Sequence, residues 1–394
     1  MKTIEEGRFF GKKVLVRVDF NVPLSEDYVI EDDRRIRAAL PTVKRILSDG
    51  GAVILVSHLG RPKKREFKFS LRHLHHPLAE MLEKSVLFCA APVGSDELKE
   101  FCQSLAPGDV ALLENIRFNP GEEKGDETLA QELSELADAF VNDAFGAAHR
   151  AHASTAVVAK FFSEKYAGYL MAAEVDNAKR VMREVRRPFG VVVGGAKVSD
   201  KIGVLKNWVE TADVLVVVGG MAFTFLYAKG GNVGLSLLEA DKADVAREIL
   251  TRAEARGIRM ILPDDAVVAT GLDDEAGAVV CPANQIPDDR MGLDVGPKTV
   301  AAAAAALLTC KTILWNGPAG VFEKPAFANG TVGILDVLVQ ATQAGTYTLV
   351  GGGDSAAAAE KFGRAHELSF VSTGGGALLE YLEFQTLPGI EALA

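Results

Sequence analysis

Short apolar runs recur along this chain, each followed by a longer stretch whose apolar positions return every three or four residues. In the first half the runs lie at residues 14–18, 52–56, 86–89, 110–113 and 139–142. The helical spacing between them predicts helices over 36–48, 71–84, 96–104 and 128–137. In the second half strands are predicted at 189–193, 214–218, 259–262, 312–314, 346–350 and, briefly, 367–371. Helices are predicted there over 201–211, 222–229, 240–256, 298–307, 331–341 and 355–362. Strand–helix alternation of this kind predicts parallel sheets with helices on both faces. Solid apolar runs, rather than alternating ones, are what strands covered on both faces require.

A length of 394 residues favours two domains. The charged stretch 172–187 has helical spacing and no proline until Pro188, so it reads as a connecting helix between two α/β units of similar size. A hydrophobic share of 48% suffices for full cores, and a net charge of −10 argues against a nucleic-acid partner. Cys89, Cys102, Cys281 and Cys310 are scattered, with no CxxC pair, and read as reduced thiols of a cytoplasmic protein. No apolar run approaches the roughly 18 residues of a membrane helix, and the first ten residues carry no signal-peptide core.

The distinctive chemistry sits where predicted strands end, which is where open α/β sheets bind ligands. The run Gly351-Gly352-Gly353-Asp354-Ser355 joins a strand to a helix. Backbone N–H groups there can close on a phosphate. The adjacent carboxylate would repel a phosphate unless a divalent cation lay between them, so this stretch points to a Mg-nucleotide. The bland reading is a turn with a capping Asp or Ser.

Strand ends of the first half carry Asp19, Asn21, Arg34, Arg35, Arg37, His58, Arg61, Arg117, His149, Arg150 and His152. Converging arginines would hold a small, highly charged anion, although any one of them could be a surface ion pair. Strand ends of the second half carry glycine instead: Gly194-Gly195, Gly219-Gly220, Gly317 to Gly320, Gly351 to Gly353 and Gly374 to Gly376. Lys197 and Lys201, four apart, are expected on one helical face, reaching one chain of phosphates. There is no P-loop, and the one G-x-G-x-x-A match, at Gly351, lacks a convincing acidic partner downstream. His73, His75 and His76 have no ligand partners at metal spacing.

Eight longer motifs carry a resemblance. They are R-V-D-F-N-V-P from Arg17, S-H-L-G-R-P from Ser57, L-L-E-N-I-R-F from Leu112, G-G-A-K-V-S-D-K-I from Gly194, L-D-V-G-P from Leu293, W-N-G-P-A-G-V-F-E from Trp315, G-G-G-D-S from Gly351 and S-T-G-G-G-A from Ser372. In this order, over nearly the whole chain, they resemble the phosphoglycerate kinases. Ala319 stands where that family often has a larger apolar residue, and the basic loop 63–68 is variable in it.

The resemblance implies two Rossmann-like, doubly wound parallel-sheet domains facing a central cleft and joined by a hinge helix. The first, residues 1–173, would bind 3-phosphoglycerate or 1,3-bisphosphoglycerate, with a tail at 378–394 packing back on it. Residues 174–187 would be the hinge helix, and 188–377 would bind Mg-ADP or Mg-ATP. The resemblance gives the triose to Asp19, Asn21, Arg34, His58, Leu59, Gly60, Arg61, Arg117 and Arg150. The nucleotide goes to Gly195, Lys201, Gly219, Gly220, Gly292, Leu293, Asn316, Glu323, Gly351, Gly352, Gly353, Asp354 and Ser355, with Mg²⁺ on Asp354. Arg34, Lys197, Gly352 and Gly375 would stabilise the transferring phosphoryl group. A cytoplasmic monomer is implied, with no membrane or nucleic-acid partner. The rival readings are a two-domain dehydrogenase and a noncatalytic nucleotide-binding protein.

Overall fold

A computed structural model describes all 394 residues, which divide into two compact units, residues 1–176 with 384–394 and residues 177–383. The first is built on a six-stranded, wholly parallel sheet in the order β3-β4-β2-β1-β5-β6. Its strands are β1 (Lys13–Arg17), β2 (Ala52–Val56), β3 (Leu87–Cys89), β4 (Val110–Leu113), β5 (Ala139–Asn142) and β6 (Lys165–Ala167). The helices are α1 (Arg34–Ser48), α2 (Arg72–Leu82), α3 (Asp96–Gln103), α4 (Glu127–Ser134) and the first half of α5 (Tyr169–Met182). Val14 and Val16, Val53 and Leu55, and Val110 and Leu112 lie on one face with Ile36 and Val43 of α1 and Leu74 and Leu78 of α2. The intervening Leu15, Ile54, Ala111 and Phe140 are equally buried, so the other face is covered too.

The second unit repeats the plan with the order β10-β8-β7-β15-β16-β17, again all parallel. Its main strands are β7 (Phe189–Val193), β8 (Val214–Val217), β10 (Arg259–Ile261), β15 (Thr312–Asn316), β16 (Tyr347–Gly351) and β17 (Phe370–Val371). They alternate with α6 (Ile202–Thr211), α7 (Met221–Ala228), α8 (Ala243–Ala255), α9 (Pro297–Leu307), α10 (Asn329–Gln343), α11 (Gly353–Lys361) and α12 (Gly376–Phe384). The alanine run from Ala301 supplies the interior of α9, whose Ala303, Ala306 and Leu307 pack beside Ile313 and Trp315.

Both six-stranded sheets are parallel, as expected; the structure adds one unpredicted layer and corrects two other expectations. β11 (Asp265–Ala269), β12 (Val279–Pro282) and β14 (Met291–Val295) form an antiparallel layer in the second unit, and β9 (Asn232–Val233) pairs with β13 (Gln285–Ile286). The apolar runs there are short and broken by the acidic turn 271–277, so no strand period stood out. The connecting helix is α5, over 169–182 rather than 174–187, and the division between units falls inside it, after Asp176. Its start is fixed by donors to earlier elements: Tyr169 N–H to Thr42 Oγ1 at 2.9 Å and Met171 N–H to Asp143 Oδ1 at 3.0 Å. The returning tail begins at Phe384, not at 378, because α12 stays with the second unit, where Asn207 Nδ2 donates to Leu382 O at 3.1 Å. Beyond it, α13 (Pro388–Glu391) belongs to the first unit, and Gly389 N–H donates to Ala148 O at 2.8 Å.

Candidate active site

In each sheet the chain leaves the centre in both directions, and the switch lies between β1 and β5 in the first unit and between β7 and β15 in the second. In open α/β sheets, ligands are expected at such a point, outside the carboxyl ends of the strands. Most of the sequence-predicted residues lie in loops that follow the strands of these two sheets.

In the first unit, Asp19 and Asn21 follow β1, His58 to Arg61 follow β2, and Arg117 follows β4. Asn21 Oδ1 accepts from Gly60 N–H at 2.8 Å, and Arg117 Nη1 donates to Gly60 O at 2.6 Å, so the loops after β1, β2 and β4 are tied together. Arg35 bridges Asn21 O at 3.0 Å and Asp19 Oδ2 at 3.3 Å. Asn115, absent from the predicted set, donates to Leu59 O and Phe69 O, both at 2.8 Å. His58 is buried, and its pKa lies well below the usual histidine value because burial disfavours the cation, as do Arg17, Arg117 and Arg35. Arg150 donates Nε–H to His149 Nε2 at 3.0 Å, and Arg61 is exposed. Arg34, the first residue of α1, is paired with Asp32 through Nε at 2.9 Å and Nη2 at 2.5 Å. That hydrogen bond holds the Asp32 carboxyl below its ordinary range.

Beneath this cluster lies a layer that sequence reasoning missed: Arg17, Glu122 and Ser154, all buried. The one available signal was a charged residue inside β1, a strand covered on both faces; Glu122 and Ser154 sit in loops and gave none.

In the second unit, Lys201 stitches the switch point. Its Nζ donates to Gly194 O at 2.6 Å, to Asn316 O at 3.0 Å and to Asn316 Oδ1. Asn316 Nδ2 donates to Gly351 O at 2.8 Å, and Ser355 Oγ accepts from Gly317 N–H at 2.5 Å. Three of the glycine turns are thereby joined. Gly194 admits no side chain, since a Cβ would overlap the carbonyls of Gly317 and Pro318. Gly352 has φ 96° and opens α11, with Asp354 exposed in the first turn. A Cβ on Gly353, Gly375 or Gly376 would meet nothing within 4 Å, so backbone there is open to a ligand.

Other members are placed less directly. Gly219 and Gly220 follow β8, close to Gly195 and Ala196 respectively. Gly292 and Leu293 lie in β14, where the Phe223 ring takes the space of a Gly292 side chain. Glu323 is exposed, and its carbonyl accepts from Lys361 Nζ at 3.1 Å.

Lys197 and Lys201 do not share a helical face. Lys197 is exposed in the loop after β7, a single 3₁₀ turn spans Ser199–Lys201, and α6 starts only at Ile202. The close packing of Gly194 against the β15 loop keeps this segment from entering a helix directly. Burial brings the Lys201 pKa down to about 8, against an opposing pull from Asp354 and Asp200.

No three His, Cys, Asp or Glu side chains are grouped to cage a metal. Asp354 alone fits Mg²⁺, which keeps several waters and takes one or two carboxylates together with substrate phosphates.

Comparisons with known proteins identify the family. A phosphoglycerate kinase family model matches residues 4–385. A phosphoglycerate kinase of Thermosynechococcus vestitus is 50% identical, over 97% of this chain and 96% of its own. A cytosolic phosphoglycerate kinase of Arabidopsis thaliana is 48% identical, over 99% and 97%. The solved phosphoglycerate kinase of Coxiella burnetii superposes with TM-score 0.89 at 38% identity, covering 99% of this chain and 98% of that one. The chain belongs to the phosphoglycerate kinase family.

Proposed function

We propose that the chain catalyses reversible, Mg-dependent phosphoryl transfer between 1,3-bisphosphoglycerate and ADP, giving 3-phosphoglycerate and ATP. The observation that supports this most is the pairing, in one chain of this family, of a cationic cluster at one switch point with a glycine-lined cluster holding Lys201 and Asp354 at the other. In the forward direction a β-phosphate oxygen of ADP bonds to the acyl phosphorus. The bond from that phosphorus to the C1 carboxyl oxygen breaks, and carboxylate leaves. Carboxylate is a good leaving group, so the residues need only position and neutralise charge.

Asp19, Asn21, His58, Arg61, Arg117, Arg150 and the Leu59–Gly60 backbone hold the triose. Arg34 and Lys197, with N–H groups around Gly352 and Gly375, neutralise the transferring oxygens. Arg34 exchanges Asp32 for substrate as it does so, and Lys201 gives up a backbone carbonyl for a nucleotide phosphate. Gly195, Gly219, Gly220, Gly292, Leu293, Asn316, Glu323 and Ser355 line the nucleotide. Mg²⁺, held by Asp354, supplies charge neutralisation at the phosphates when bound. Transfer between sites on two units requires hinge motion, placed at α5 and at the return after α12. No helix is long and apolar enough to cross a membrane; the setting proposed is the cytoplasm, and the working form a monomer.

A coupled assay of ADP release from ATP tests this. ADP is expected only when 3-phosphoglycerate and Mg²⁺ are both present. Turnover independent of 3-phosphoglycerate, or none with both supplied, would overturn the proposal.

A further inference from the structure

Arg17 has no role in the proposed reaction, yet it is 1% exposed at the end of β1, directly under the triose cluster. Its guanidinium is held on three sides. Nε donates to Ser154 Oγ at 2.8 Å, and Nη1 donates to Val18 O. Ser154 passes the interaction on: its hydroxyl donates to Glu122 Oε1 at 2.7 Å and its N–H to Oε2 at 2.9 Å. Glu122 is fully buried, so its charge balances that of Arg17 away from water. The third side of Arg17, Nη2, stands 3.1 Å from His58 Nδ1.

A guanidinium has only donors. His58 Nδ1 must therefore accept, and in the neutral ring the proton then sits on Nε2. The competing partner for Nδ1 is Asp19 Oδ1, which would select the opposite tautomer; at 3.9 Å it is too distant for a hydrogen bond. Arg35 draws the Asp19 carboxylate the other way, with Oδ2 at 3.3 Å from Nη1.

We propose that Arg17, braced by Glu122 through Ser154, is a positioning residue that fixes His58 in the Nε2–H tautomer, so that the ring offers an anionic triose oxygen a neutral donor. The substrate half of this rests on the reading of His58 as a triose ligand. An imidazole lone pair in the same place would repel that oxygen. A neutral N–H adds a directed hydrogen bond without adding another positive charge to a crowded cationic cluster.

Proton-detected nitrogen spectra of the ¹⁵N-histidine-labelled full chain, with the His58 signals assigned by a His58→Gln variant, read the tautomer directly. The parent is expected to show a protonated Nε2 and an unprotonated Nδ1. A protonated Nδ1, or a mixture, would overturn the proposal without any variant having to fold. In Arg17→Met the preference should be lost, and the KM for 3-phosphoglycerate should rise about 10- to 100-fold, as for loss of a hydrogen bond to a charged group. The KM for Mg-ATP should hold, and Arg17→Lys, which keeps a donor, should restore part of both. An unchanged tautomer in Arg17→Met would overturn the positioning role. A changed tautomer with an unmoved KM would overturn the substrate half, so the two failures are distinguishable.

Discussion

Lys201 and Asn316 are bonded twice across the switch point of the second sheet, the ammonium donating to both the backbone and the side-chain oxygen of the asparagine. A lysine that closes a crevice in this way is held in a polar, enclosed setting, and burial lowers its pKa to about 8. Its charge is thus present at neutral pH and lost within the ordinary working range.

Mg-ADP affinity is therefore expected to be level below about pH 7 and to weaken as pH rises through 8, with proton uptake on binding above that value. The stability linkage runs the other way. The folded pKa lies below the unfolded value of about 10.4, so the unfolded chain binds more protons between them, and the Lys201 contribution to stability rises with pH across that window. Calorimetry from pH 6.5 to 9.5 checks the binding limb, which should vanish in Lys201→Met.

Lys197 is exposed in the loop after β7, three residues beyond Gly194, which packs against the Gly317 turn. If its ammonium meets the transferring oxygens mainly in the transition state, Lys197→Ala should lower kcat by roughly 10²–10³, with much smaller changes in either KM. Steady-state kinetics decide this: a change under about threefold is what a solvated surface lysine would give.

The sequence announced the alternation of strands and helices because both main sheets are covered on both faces, which forces solid apolar runs such as Ala-Val-Ile-Leu-Val in β2. It also pointed to the loops at the strand ends, where arginines such as Arg117 and glycines such as Gly352 gather. What it hid depends on contacts distant in sequence. Glu122 meets Ser154 across 32 positions and Arg17 meets Ser154 across 137, and no local pattern encodes either pairing. The antiparallel layer was hidden because Val279 and Val280 in β12 are largely exposed, so that edge strand lacks a clean alternation. The lysine spacing misled because four residues imply one helical face only where a helix exists.

Asp294, in β14, is buried and accepts from Gly330 N–H at 2.6 Å and Val295 N–H at 2.9 Å. Burial outweighs these donors and pushes its pKa up to about 7. The folded value lies above the unfolded one of about 3.9. Its contribution to stability is therefore full below about pH 4 and lost as pH rises to about 7. Asp294→Asn removes this titration, so between pH 4 and 8 the stability difference should move in favour of the variant by on the order of 2–4 kcal/mol. Denaturant melts of both proteins at the two pH values measure it; a pH-independent difference would contradict the assignment.

The division of labour between the two units is tested most directly by calorimetry on the full chain carrying either Arg117→Met or Asp354→Asn, each titrated with 3-phosphoglycerate and with Mg-ADP. Arg117→Met is expected to weaken 3-phosphoglycerate binding about 10- to 100-fold, the loss typical of one charge-assisted contact, and to leave Mg-ADP binding unchanged. Asp354→Asn is expected to do the reverse, weakening Mg-ADP roughly tenfold or more with 3-phosphoglycerate affinity intact. Loss of both ligands in either variant that remains folded, or the opposite pairing of variant and ligand, would contradict the account.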